Sequence, residues 1–456
     1  MFWKKISLLA AVVFTITGCN VHKNETDTSI NLENLSPALS NKSIVQKEEM
    51  LNLLLKYLAV ESGSQYTSGS YPMTDGQREM ARLLKADAEA LGATATLTEW
   101  GYVYVTVPSN IEAQVPSIGI SCHLDYTPEA PCVGIKPSVI KYQGGDIELA
   151  DGSVISPSNP DGEDLPSLIG KTLIHSDGTT ILGGDDKNGC AITMSVLKTI
   201  MSPGFKHGQV QFVWAPNEDI GMAAEKIDTT LFNPDILFDV DGHGGNEVAV
   251  SNFTARGLNV VFTGHEAHAS EAKRQKLGDA LAAASTFIAS TPIKYRPEST
   301  EGREGYIHHW NLTHDKNHLT DTVTSRIRYF DRKEGEIFDK IITDALAKVR
   351  SDFPNVNVEV IWDGIQYENV AYTMHPASLT VISRAAARLG QKLGFYDERA
   401  GTTAAMFTAK GLKGGMNIFS GQHNCHKLHE YSCLEEMMDS YLLLLHTIDE
   451  VSILEQ

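Results

Sequence analysis

Basic residues are in short supply: 38 lysines and arginines stand against 57 aspartates and glutamates in 456 residues, a formal charge of −19. So acidic a chain repels phosphate backbones and anionic headgroups, so neither nucleic acid nor a charged membrane surface is expected as a partner. No Cys-x-x-Cys spacing occurs among the six cysteines, which removes zinc-ribbon and thiol-redox motifs. Gly183-Gly184 is not part of a GxxxxGK[ST] loop, so no phosphate cradle is indicated. Internal repeats are lacking, and biased composition is confined to one polar stretch near the N-terminus. What is there, 42% hydrophobic residues, 8% aromatics and 37 glycines, is the composition of a globular α/β protein long enough for two domains.

The N-terminus opens with a basic segment, Met1 to Lys5, an apolar one, Ile6 to Ile16, and then Ile16-Thr-Gly-Cys19. The apolar run is too short to span a bilayer and reads as an export signal. Its ending resembles the lipobox of bacterial lipoproteins. That implies a signal peptide of residues 1–18, lipid on Cys19, and contact with the membrane only through that anchor. Asn20 after the cysteine implies the outer membrane, facing the periplasm; a plain secretory signal is the alternative. Residues 19–43 are polar and rich in Asn, Ser and Thr, and read as a flexible tether. An exported chain could pair some of the other five cysteines, although buried thiols are the commoner fate.

From Ile44 the apolar spacing alternates between helical and strand periods. Helices are expected over Gln46–Val60, Asp75–Leu91 and Lys187–Met201. Strands are expected within Thr96–Val107 and over Ser117–Cys122, Val210–Trp214 and Ile236–Val240. That order predicts a mixed, mainly parallel sheet covered by helices, with functional groups at the strand ends. After Val250 the order becomes strand Gly257–Gly264, helix Lys276–Ser290, strands Gly305–Thr313 and Thr320–Phe330, helix Glu334–Phe353 and strand Val356–Trp362. This βαββαβ order predicts a ferredoxin-like lid domain, residues 251–370, inserted in a catalytic domain of residues 44–250 and 371–456.

The chemistry gathers at strand ends. Val213-Trp-Ala-Pro-Asn-Glu-Asp-Ile-Gly221 closes a buried strand with two adjacent carboxylates, Glu218 and Asp219. Neighbouring side chains leave such a segment in different directions, so one acid can bind a metal while the other carries a proton. A lone Glu-Asp pair is usually only a solvated loop. Here His123-Leu-Asp125, Asp185-Asp186, Asp241 and His426 sit in similar settings, and imidazole with carboxylate suits zinc, or cobalt and manganese.

These motifs carry a resemblance. HLD at 123–125, GGDDK at 183–187, NEDIG at 217–221, VDG at 240–242 and His426-Lys-Leu-His-Glu430 resemble the co-catalytic zinc peptidases that include aminoacylase, carboxypeptidase G and peptidase T. Within that group the resemblance to the tripeptide-aminopeptidase branch is close, over roughly Leu51 to Leu444. It adds Tyr142-Gln-Gly-Gly-Asp-Ile147, Gly170-Lys-Thr-Leu-Ile174 and Phe330-Asp-Arg-Lys333. The resemblance implies two zinc ions per chain, one on His123 and Asp241, the other on Asp219 and His426, with Asp185 bridging. It further implies Glu218 as general base, Asp125 orienting His123, His268 as a substrate-facing lid histidine, and Arg399 binding the substrate carboxylate. Asp186 is read as a local hydrogen-bond partner.

Three departures bear on the pocket: Asp219 stands where the family has glutamate, Thr403 where it has aspartate, and Ala-Ser follows His268 instead of Pro-Gly. The expected function is removal of the N-terminal residue from short unblocked peptides, chiefly tripeptides. A dipeptidase or N-acyl amino acid hydrolase on the same metals is the alternative, and a non-catalytic peptide-binding lipoprotein a third. The last has no need of a base at Glu218. A homodimer through the lid domain is a further expectation.

Overall fold

A computed structural model describes residues 45–67, 69–316 and 319–454. Signal peptide, tether and Cys19, all expected within residues 1–43, lie outside them.

An eight-stranded mixed sheet forms the larger body. Its order across the sheet is Ala95–Leu97, Val103–Val107, Val210–Ala215, Ile118–His123, Ile236–Gly242, Gly415–Phe419, Glu247–Asn252 and Gly394–Glu398. Ile118–His123 pairs parallel with both Val210–Ala215 and Ile236–Gly242, and the latter pairs parallel with Gly415–Phe419. Every residue of Ile118–His123 and Val210–Ala215 is buried, which is why these segments read as largely apolar runs rather than alternating ones. Helices Gly184–Ile200 and Leu434–Ser452 pack on the sheet with Lys47–Leu58 against both, and Leu54, Ile192, Leu197, Phe212, Phe238 and Leu443 belong to one core. These four parallel strands, with a common direction, bring their C-terminal ends to one edge, and a site collects there.

A second sheet, all antiparallel, has its own core. Its order is Tyr306–Asp315, Thr320–Tyr329, Thr254–Thr263, Asn357–Tyr367. Helices Ala280–Ala289 and Arg332–Asp352 pack Phe287, Phe338 and Ile342 against Leu258, Val260 and Ile327. Chain order and strand order are those of a ferredoxin-like unit. The expected helix over Lys276–Ser290 starts later than its periodicity suggested. Lys276 takes a left-handed φ of 53° at the end of a short turn of helix, and Asp279 caps the new start by accepting from Ala282 N at 2.9 Å. A third sheet was not foreseen: Gln422–His423, Tyr431–Cys433, Thr172–His175 and Ser138–Lys141, antiparallel throughout.

Candidate metal centre

His123 is the last residue of its strand and is 1% exposed. Its Nε2 lies 2.8 Å from Asp185 Oδ1 and 3.6 Å from Asp241 Oδ1. Asp185 lies in the non-helical opening of the Gly184–Ile200 segment, where the glycines are required. Gly183 has φ 79°, and a Cβ there would meet the Tyr126 ring at 2.2 Å, while one at Gly184 would meet Ser432 Oγ at 2.3 Å. Glu430 ties this loop down by accepting from Gly183 N at 2.7 Å and Asp185 N at 3.0 Å. The Asp185–Asp186 peptide is cis. Asp186 accepts from His123 N and Gly189 N, at 3.2 and 2.9 Å, as a local partner should.

The second oxygen of Asp185 turns the other way. Asp185 Oδ2 lies 3.2 Å from His426 Nε2, and that nitrogen lies 2.8 Å from Asp219 Oδ1. Asp219, one methylene shorter than expected, therefore still reaches His426. Ligand atoms of His123, Asp185 and Asp241 fall within 4.8 Å of one another, as do those of Asp185, Asp219 and His426, and Asp185 is common to both groups.

Several contacts hold these side chains. Asp125 accepts from Glu218 N at 3.0 Å and Asp219 N at 3.3 Å, bonds Ser64 Oγ, and brings Oδ1 to 3.4 Å from His123 Nδ1. Gln422 donates to Asp241 Oδ1 at 3.2 Å. His426 itself has a left-handed φ of 65°. The loop around it is strapped to Asp161, whose carboxylate meets Lys427 Nζ and His429 Nδ1 at 3.0 Å each, and whose carbonyl accepts from Asn424 Nδ2 at 2.5 Å. His423 is not at the centre; it stacks on Tyr431 between Asp164 and Glu436.

The electrostatics call for cations. Burial pushes Glu218 well above the usual carboxylate range, and the charges of Asp241 and Asp219 add to it against His123. Asp219 is pushed up to about 7 by burial and by Asp185. Burial would raise Asp185 as well, but bonds from His123 and His426 hold it well below the usual range. Asp219 Oδ2 is buried with no hydrogen-bond partner among the described residues, and His123 Nδ1 has only the 3.4 Å approach of Asp125 Oδ1. Converging buried carboxylates, orphaned oxygen and Nε2-directed imidazoles are the donor set of a divalent metal site, and the residues fit zinc.

A cavity of about 690 Å³ opens above this cluster. Its wall includes Glu129, Glu398, Thr402, Met406 and Tyr367, the last residue of the second sheet. Two expected substrate residues are not in that wall. Arg399 spends its guanidinium on carbonyls of Gly302 at 2.7 Å and Glu304 at 2.9 Å and on Thr300 Oγ1 at 3.1 Å, over the Phe253 ring. Exposed His268 bonds Ser270 at 2.7 Å. Glu129, Gln422 and Tyr367 escaped the sequence reading. Only the position of Glu129 just after HLD offered a signal; the other two reach the site through tertiary pairing.

Residues 175–450 match the family described as Peptidase family M20/M25/M40. Peptidase T of Lysinibacillus sphaericus is 31% identical over 396 residues, covering 86% of this chain and 95% of that protein. Peptidase T of Salmonella arizonae is 32% identical over 397 residues, with the same coverage of 86% and 95%. The crystal structure of aminopeptidase PepT from Bacillus cereus superposes with a TM-score of 0.69 at 20% identity, over 89% of this chain and 99% of that one.

The comparisons overturn one expectation. The signal peptide of residues 1–18, the lipid on Cys19 and the outer-membrane location are withdrawn: the matched relatives are named peptidase T, aligned over 95% of their own length, and that match gives no support to an exported lipoprotein. An apolar run followed by a cysteine is a short compositional signal that carries no location by itself. No described helix is long and apolar enough to cross a membrane. The chain belongs to the metal-dependent peptidase family M20/M25/M40, in its peptidase T branch, and is an aminopeptidase.

Proposed function

We propose that the chain releases the N-terminal residue of short unblocked peptides, chiefly tripeptides, at a centre of two zinc ions. His123 and Asp241 would hold one, Asp219 and His426 the other, and Asp185 both. The observation that carries this reading is the divergence of the two Asp185 oxygens toward separate histidines. Zinc bound there would supply Lewis acidity that acidifies water and polarises the scissile carbonyl. Glu218 takes a proton from the attacking water on its carboxylate and delivers it to the leaving amine. Asp125 keeps His123 oriented and, through two backbone N–H groups, fixes the segment carrying Glu218 and Asp219.

Glu398 in the cavity wall favours a free peptide amine, which is a cation, over an acylated one, which brings no charge to meet that carboxylate. The second sheet acts as a lid, and Tyr367 is its foothold in the cavity. His268 would meet substrate only on closure, and Arg399 has no part in this reading. The test is a hydrolysis screen of zinc-loaded protein on free and N-acetylated di-, tri- and tetrapeptides and on N-acyl amino acids. Fastest release of the first residue from free tripeptides is expected; faster cleavage of N-acyl amino acids would turn the assignment to an acylase.

A further inference from the structure

The two histidines of the centre are built alike. Each turns Nε2 toward one oxygen of Asp185, at 2.8 Å for His123 and 3.2 Å for His426. Each also turns Nδ1 toward a second carboxylate: Asp125 Oδ1 at 3.4 Å from His123, Glu129 Oε2 at 3.1 Å from His426. We propose that Glu129 is a positioning residue for His426, holding its proton on Nδ1 so that the Nε2 lone pair faces a metal ion. The inference rests on the two-metal reading above.

Local geometry supports the role. Glu129 belongs to the turn that follows the His123 strand, where its N–H donates to Thr127 Oγ1 at 3.3 Å, and that hydroxyl lies 3.4 Å from the same His426 Nδ1. An Nδ1–H that donates to a carboxylate fixes both the tautomer and the ring plane. His426 needs such a partner more than His123 does. Its side chain is 33% exposed against 1% for His123, and its backbone sits in the left-handed region, so packing alone does not hold the ring.

The two orienting acids are unequal. Asp125 is fully buried and pinned by backbone N–H groups, whereas the Glu129 side chain is 55% exposed at the cavity rim. A rim carboxylate is screened by water and salt, so its hold on the imidazole is weaker. The centre is therefore asymmetric: the ion on Asp219 and His426 is the one more easily lost, and Glu129 sets how easily.

Stepwise zinc titration against a competing chelator, on the full chain and its Glu129→Ala and Glu129→Gln variants, tests this, with kcat on a free tripeptide followed against free zinc. Glu129→Ala should leave the tighter step as in the unaltered protein and weaken the other by about 10- to 100-fold, the usual effect of removing such a partner. Glu129→Gln, which keeps a neutral acceptor, should fall between, and excess zinc should restore kcat in both. Unchanged affinities in the two folded variants, or equal weakening of both steps, would overturn the role of Glu129 while leaving the two-metal reading intact. An unaltered protein that binds fewer than two zinc ions would bring down that reading and this inference together.

Discussion

Replacing Glu218 by glutamine separates proton transfer from everything else the site does. The side chain is 9% exposed and its main-chain N–H is held by Asp125 at 3.0 Å, so an isosteric amide keeps the loop and the cavity shape. The charges of Asp241 and Asp219 bear on Glu218, and neutralising it relieves repulsion among buried acids, so the fold should not suffer. What is lost is a cavity-facing carboxylate that belongs to neither ligand triad. A general base contributes about 10²- to 10⁴-fold, or roughly 2.7–5.5 kcal/mol of barrier. Glu218→Gln should therefore lower kcat on a free tripeptide by at least about 10²-fold, with KM little changed. Zinc content by mass spectrometry and the melting temperature should match those of the unaltered protein. A variant that keeps its zinc and turns over at close to the normal rate would remove Glu218 from proton transfer.

Asp185→Ala should lose both metal occupancy and activity, because both ligand groups share Asp185, whereas Asp125→Ala should keep more metal; metal analysis of the two purified proteins decides, and full occupancy in both would sink the ligand assignment. Gly183→Ala should fail to build the site, since its Cβ would stand 2.2 Å from the buried Tyr126 ring at a φ of 79°; normal zinc binding by that variant would show that the loop can relax. His423 offers a pH test away from the metals. Burial would lower its pKa, but bonds to Asp164 and Glu436 raise it to about 9, above the ordinary 6.5. A folded-state pKa above the unfolded one stabilises fully below about pH 6.5 and is lost as pH climbs through about 9, on the order of 3 kcal/mol. Denaturant melts between pH 6 and 10 should show that loss in the unaltered protein and not in His423→Gln; parallel curves would refute it.

The sequence alone determined what is written locally. The buried central strands betray themselves as apolar runs because both faces of the sheet are covered, and Asp75–Ala90 as a helix because only one face is. The glycines before Asp185 and the paired acids after Val210–Ala215 are legible because their chemistry is set within a few residues. Only the tertiary structure decided what depends on distant partners. Tyr431–Cys433 becomes a strand because Thr172–His175 lies beside it, more than 250 positions away, and not through any period of its own. Arg399 was assigned to a substrate carboxylate on the motif around it, yet carbonyls of the Thr300–Glu304 loop claim its donors, a choice no local pattern records. Glu129 meets His426 from 297 residues away, so its use for orienting a ligand exists only once the sheet edge and the last loop have come together.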